Sequence, residues 1–289
     1  MPFPSDPRAF DAMLGVPSDR SGWQKTFGNL VRDAGSGDLR HPAGYMFADL
    51  PEVDGEVPFD AFLVAEMDRW GVEAGLLPVT FADDDLGRAA VQRHPDRLVG
   101  SFAVDPTNGV DDMRALRRAV HELGVRAAAC FPCGTDPQVM LDDPGMYPIY
   151  AACVELDVPI LLNVGVPGPR FPMAPQHVER LDEVCYDFPD LVVVARHGGE
   201  PWTELLVKLM LKWPGLHYST SAFAPKHYPR DIIDFANTRG AEKVLYAGYF
   251  PMGLSLERIF TELPRVPLRD EVWPLFLRQN ARRVLGLDG

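Results

Sequence analysis

Seven short apolar runs recur along the chain, each entered from a turn: GVEAGLLPV, RLVGSFAV, GVRAAACF, VPILLNVG, LVVVARHGG, LHYSTSAF and KVLYAGYF. They start near residues 72, 97, 125, 159, 191, 216 and 243. Between them lie segments with helical periodicity. TELLVKLMLKW (203–213) is apolar over most of its circumference, with Lys208 and Lys212 on one polar edge. Three junctions are near copies: RHPDRLVG, YDFPDLVV and LKWPGLHY. In each, a proline ends the helix, because it cannot continue the hydrogen-bond ladder, and a turn then opens a strand. A strand, a crossover helix and two loops fit this spacing, so the pattern predicts a series of βα units.

Seven such units in series predict a closed (β/α)8 TIM barrel rather than an open doubly wound sheet. An eighth strand is needed. Residues 1–60 are rich in Pro, Gly and Asp and show little alternation; AGYMFADL (43–50) is the one stretch there with strand character. The expectation is a single domain over 1–289 with an irregular or degenerate first strand. Residues 1–60 would form an irregular segment covering one end of the barrel.

The chain has 289 residues, 46% of them hydrophobic, enough for one large core. No apolar run is long enough to span a membrane. The opening MPFPSDPRAF has neither the basic nor the apolar region of a secretion signal. A net charge of -13 argues against nucleic acid and anionic membrane surfaces as partners. Cys130 and Cys133 form a CxxC, but no second pair accompanies it, and the four cysteines read as reduced, packed thiols of a cytoplasmic protein. The outer helix faces suggest a homodimer.

The last third resembles the amidohydrolase-related family that includes aminocarboxymuconate-semialdehyde decarboxylase. FPDLVVVARHGGEPW is similar to its sixth-strand signature, HYSTSAF to the seventh, EKVLYAGYFPM to the eighth, and FLRQNARRVLGL to the closing helix. The resemblance implies a barrel acting on a small organic substrate by hydrolysis, decarboxylation or hydration. It also implies a divalent metal held by a first-strand His-x-His, a fifth-strand His and an eighth-strand Asp, with a sixth-strand His for acid–base or orienting work. Here no His-x-His occurs; Asn163 stands on the fifth strand, Tyr249 on the eighth, and only His197 remains. An amide and a protonated phenol are poor zinc ligands. The expectation is therefore no resident cofactor and no metal site, at most a weakly bound divalent ion such as zinc.

Strand alternation places His197, Asn163 and Tyr249 at one rim if their faces point inward. His197 would be the general acid/base, Tyr249 a donor to a developing oxyanion, and Asn163 the group that orients a carbonyl or carboxylate. Ser219, Ser221, Arg170, Lys226, His227 and Glu200 are candidates for substrate binding. Arg196 has the opposite parity and is expected outside the pocket; His41, His94 and His121 look ordinary. The competing expectation is a catalytically retired barrel that binds a small ligand without turnover.

Overall fold

The computed structural model describes residues 3–17, 20–39, 41–47, 50–53 and 55–288. Eight strands run β1 (Ala9–Asp11), β2 (Val72–Val79), β3 (Leu98–Ala103), β4 (Ala127–Cys130), β5 (Ile160–Asn163), β6 (Val193–Arg196), β7 (Leu216–Ser219) and β8 (Val244–Leu245). Neighbours pair in sequence order and in parallel. The ring closes between β8 and β1 through Ala12 N–H to Tyr246 O (3.2 Å), Tyr249 N–H to Met13 O (3.0 Å) and Gly15 N–H to Phe250 O (2.8 Å). The fold is a TIM barrel, and strands two to eight begin within two residues of the positions read from the pattern.

The first strand is not where the sequence suggested. Gly44–Met46 is a single 3-10 turn, and residues 48–49 lie outside the described residues. The strand is Ala9–Asp11, only three residues long and wholly buried. Its place is set by pairing with β2 and by the side chain of Asp11. That carboxylate accepts from Gly248 N–H (2.8 Å) and Met13 N–H (2.9 Å) through one oxygen, Oδ1. It thus does the work of a missing ladder bond. Burial pushes its pKa up to about 6. Gly248 is required here, because a Cβ on it would stand 2.5 Å from Asp11 Oδ2.

Side chains divide cleanly between two layers. Leu76, Ala127, Ala129, Leu161, Val194, Leu245 and Ala247 fill the barrel interior, joined by Ala281 and Leu285 of the last helix. Val193, Ala195, Leu216, Tyr218 and Val244 face outward into the helical layer. The Asn of the Asn-Ala pair, Asn280, donates to Ala241 O and Val244 O (both 2.8 Å), fixing that last helix to β8. All four cysteines are free and buried, and burial pushes Cys130 and Cys133 up to about 12, so neither thiol is poised as a nucleophile.

The N-terminal segment folds across the end of the barrel where the strands finish. Its helix Arg20–Phe27 is held by Trp23, whose indole N–H donates to Leu39 O (3.1 Å). Arg170, in the loop after β5, pairs with Asp33 (2.8 Å) and lies over the Tyr45 ring, while Tyr45 Oη donates to Gly168 O (2.7 Å).

Candidate active site

A cavity of about 750 Å³ opens between the strand ends and the N-terminal segment. Asn163, Arg196, His197 and Tyr249 line its polar side; Trp23, Phe27, Phe47, Phe131 and Phe223 supply apolar wall.

The two rings reach the cavity by different routes. Val194 is interior and Val193 and Ala195 face the helices, so regular alternation would send His197 outward. It does not continue regularly: His197 adopts φ +64°, followed by Gly198 (+89°) and Gly199 (+68°). This left-handed turn swings the imidazole over the rim. Tyr249 lies on the interior parity of Leu245 and Ala247 and takes φ +81°. Non-glycine residues in this region cost about 1–3 kcal/mol each and persist only where the surroundings hold them. The rings meet edge to face, with centroids 5.4 Å apart.

The same register corrects the expectation for Arg196. The strand VVVAR is apolar on both faces, so its sequence carries no parity signal, and counting from His197 gave the wrong face. Arg196 shares the face of Val194 and points into the mouth, where its Nε donates to Asn163 Oδ1 (2.9 Å). Since a guanidinium only donates, this bond fixes the Asn163 amide, with its oxygen toward Arg196 and its NH₂ free to turn elsewhere.

His197 and Tyr249 keep some surface, but only because they open on the cavity. Desolvation, with the neighbouring Arg196 charge, lowers His197 to about 3; desolvation raises Tyr249 to about 12 against the pull of Arg196. At neutral pH the imidazole is a neutral base and the phenol a protonated donor. Ser221 Oγ accepts from His197 N–H (3.1 Å) and sits 3.1 Å from His197 Nδ1; Ser219 Oγ lies 3.5 Å behind it. Both serines are buried beneath the cavity wall and do not line it, so they support the imidazole instead of facing a ligand. His227 and Glu200 line the cavity at its exposed edge. Arg170 and Lys226 lie outside it; Arg170 is occupied by Asp33, and the backbone N–H of Lys226 donates to Glu262 (3.3 Å).

Sequence reasoning passed over two further lining residues. His41 stacks edge-on against Phe47 and Tyr249, and burial lowers it to about 4. Arg258 reaches the cavity from the helix after β8, paired with Glu262 (3.2 Å). A His in an irregular segment and an Arg on an amphipathic helix give no local signal of either role.

Inward-facing polar residues at the C-terminal ends of barrel strands are where this fold carries out chemistry. The family model described as Amidohydrolase matches residues 30–287, and the chain belongs to that family. No match is found among curated proteins. Among solved structures it is similar to an uncharacterised TIM-barrel protein from Bordetella bronchiseptica (20% identity, TM-score 0.72, covering 96% of this chain and 98% of that one). It is similar to 5-carboxyvanillate decarboxylase from Novosphingobium aromaticivorans, with bound manganese and 3-methoxy-4-hydroxy-5-nitrobenzoic acid (17%, TM-score 0.66, 96% of each chain). A third is 4-oxalomesaconate hydratase from Rhodopseudomonas palustris (18%, TM-score 0.59, 96% of each chain).

Manganese in a relative prompts a test of this rim. Among the described residues, no group of three or more His, Cys, Asp and Glu is placed to hold a metal ion. At the strand ends the donors are the His197 imidazole backed by a serine, a phenol pushed up to about 12 and an amide whose oxygen is taken by a guanidinium; His41, His227 and Glu200 also line the cavity but do not gather with His197 into a ligand group. β1 leads into Ala12, Met13 and Leu14, which bring no imidazole. This donor set does not fit a divalent ion, and the positive charge of Arg196 beside it opposes one.

Proposed function

We propose that the protein is an amidohydrolase-family enzyme acting on a small carbonyl- or carboxylate-bearing substrate, by hydrolysis or by lyase-type proton transfer, without a tightly bound metal. His197 takes and returns the proton, Tyr249 donates to the oxygen on which negative charge develops, and Asn163 orients the carbonyl or carboxylate. The observation that carries this reading is the pair of left-handed residues. The chain adopts strained backbone at both His197 and Tyr249, and both rings thereby face one cavity and each other. The protonated phenol supports it too, as the donor such chemistry needs; the imidazole is neutral and a weak base as it stands, and its basicity would rise if the neighbouring Arg196 charge were neutralised.

The relatives support the substrate class, because a carboxyvanillate and an oxalomesaconate both bear carboxylates. Strain at the two residues able to act as base and donor favours turnover over a retired barrel that only binds. In the same reading the whole chain is one barrel unit, cytoplasmic and homodimeric. The unpaired thiols support the first location, and Val154, Tyr186 and Leu205, exposed on outer helices, support pairing. A turnover screen of aromatic and unsaturated carboxylates, lactones and amides, on wild type, His197→Gln and Tyr249→Phe, tests the proposal. Turnover that both substitutions leave unchanged would refute it.

A further inference from the structure

Arg196 differs from five other partly buried arginines. Arg97, Arg180, Arg258, Arg278 and Arg282, each less than a third exposed in its side chain, all pair with a carboxylate. Arg196 lies half-buried in the barrel mouth and, among the described residues, has no ion-pair partner and one hydrogen bond, to the neutral oxygen of Asn163. A charge set among protein groups without a counter-charge is costly unless an anion meets it. Such a charge is sustained where an anion visits it.

The groups around Arg196 specify what kind of anion. Nε is used by Asn163, which leaves the four N–H groups of the terminal nitrogens without an acceptor among the described residues, on a side chain that lines the cavity. The Asn163 NH₂ and the Tyr249 hydroxyl also line the cavity and have no acceptor among the described residues. These are all donors at neutral pH. The planar fork of a guanidinium matches the two oxygens of a carboxylate, and the opposite wall is aromatic. The protein as a whole is acidic, at -13, so this local charge is not part of a general anion-attracting surface.

We propose that Arg196, held by Asn163, is the receptor for one carboxylate of the ligand, a fixed single positive charge at the rim. The inference rests on the reading of this cavity as the substrate site. Arg196 binds and orients that group against the fork; it places the rest of the molecule beneath His197 and Tyr249. A guanidinium has no open coordination position, so its part is neutralisation and orientation. Its charge already acts on both rings, lowering His197 and pulling Tyr249 down. A bound carboxylate would cancel that influence.

Benzoate and benzamide have nearly the same shape and differ in charge, so they test the proposal directly. Titration calorimetry on the intact protein after chelator treatment should show benzoate binding at least about 30-fold tighter than benzamide, the lower range for breaking a buried charge pair. Arg196→Met keeps an apolar stem and should abolish that preference; Arg196→Lys keeps the charge without the fork and should weaken benzoate about 10-fold. Melting curves confirm that each variant is folded, and the lysine variant keeps the test decisive if the methionine one is not. Equal binding of the two probes by wild type, benzoate affinity that returns only with added metal, or inorganic phosphate binding tighter than benzoate would each overturn the proposal. Turnover separates it from the catalytic reading. Benzoate preference lost in Arg196→Met, with turnover intact in His197→Gln, would keep the receptor and remove the acid/base assignment. The opposite pattern would remove the receptor alone.

Discussion

The ends of β6 and β8 each deliver a ring to the cavity from left-handed backbone, yet they are held in place differently. At β6 the support is local. Gly198 and Gly199 permit the turn, Ser221 just beyond the adjacent strand β7 braces the imidazole, and Asn163 from the other neighbour fixes Arg196. At β8 the support comes from the far end of the chain. Tyr249 N–H donates to Met13 O, and the preceding Gly248 N–H to Asp11. One rim element is built from neighbours in sequence order; the other depends on a seam joining residues 11–15 to residues 246–250. The comparison separates chemistry from scaffolding. Changes at β6 and at the Tyr249 hydroxyl should strike activity, while changes at the seam should strike stability first.

The largest expected effects lie at the two rings. Tyr249→Phe should lower kcat about 100- to 1000-fold with the melting temperature nearly unchanged, since only one oxyanion donor is removed. His197→Gln should cost at least as much. Steady-state kinetics on a substrate from the screen, beside thermal melts, checks both. Equal loss of stability and activity would show that β8 is no better insulated than the seam.

Next comes Asp11. Asp11→Ala strands two buried N–H groups at about 1–3 kcal/mol each, partly offset by removing a desolvated carboxylate, so about 2–4 kcal/mol of stability should go. Asp11→Asn keeps the acceptor and should cost far less. Its pH dependence has a definite sign. The folded-state pKa of about 6 exceeds the unfolded 3.8, so the folded protein holds the extra proton and the wild type loses stability as pH rises from about 4 to 6. Asp11→Asn should therefore look better against wild type at pH 7 than at pH 4 in denaturant titrations.

The histidines act in the opposite sense. His197 and His217 are lowered to about 3 and His41 to about 4 by burial, so the unfolded chain takes up their protons first. Stability should fall as pH drops below about 6.5 and level off near 3–4, each group contributing at most about 1.4 kcal/mol per pH unit. With three histidines against one aspartate, the net result is acid lability. The smallest expected effect is on metal content: extensively dialysed protein should carry less than about one metal per four chains by elemental analysis, and Tyr249→Asp should not raise it, because the other ligand positions stay unfilled.

The same contrast explains what could be read from the sequence. β2 to β8 announce themselves because each is an apolar run behind a proline or glycine stop, and the family motifs lie at their ends. Asn163, His197 and Tyr249 were found through those motifs. β1 was missed because three residues hold no alternation to detect, and its position depends on Gly248 and β2. Arg196 was missed for a different reason: a strand buried on both faces hides its register until the barrel is assembled. His41 enters the cavity from an irregular segment, where no periodicity speaks for it.

The alanines lining the barrel interior carry one more consequence. Ala12, Ala74, Ala127, Ala129 and Ala247 share the interior with Phe10, Leu76, Leu161, Val194 and Leu245, in a fold whose interior is usually dominated by bulky branched residues. A long inward side chain such as Arg196 fits over such a floor. Enlarging one of these alanines alone would overpack the interior, and trimming a large neighbour alone would leave a void. The residues along the axis are therefore coupled through volume. Single substitutions along the axis should cost stability unless a neighbour changes with them.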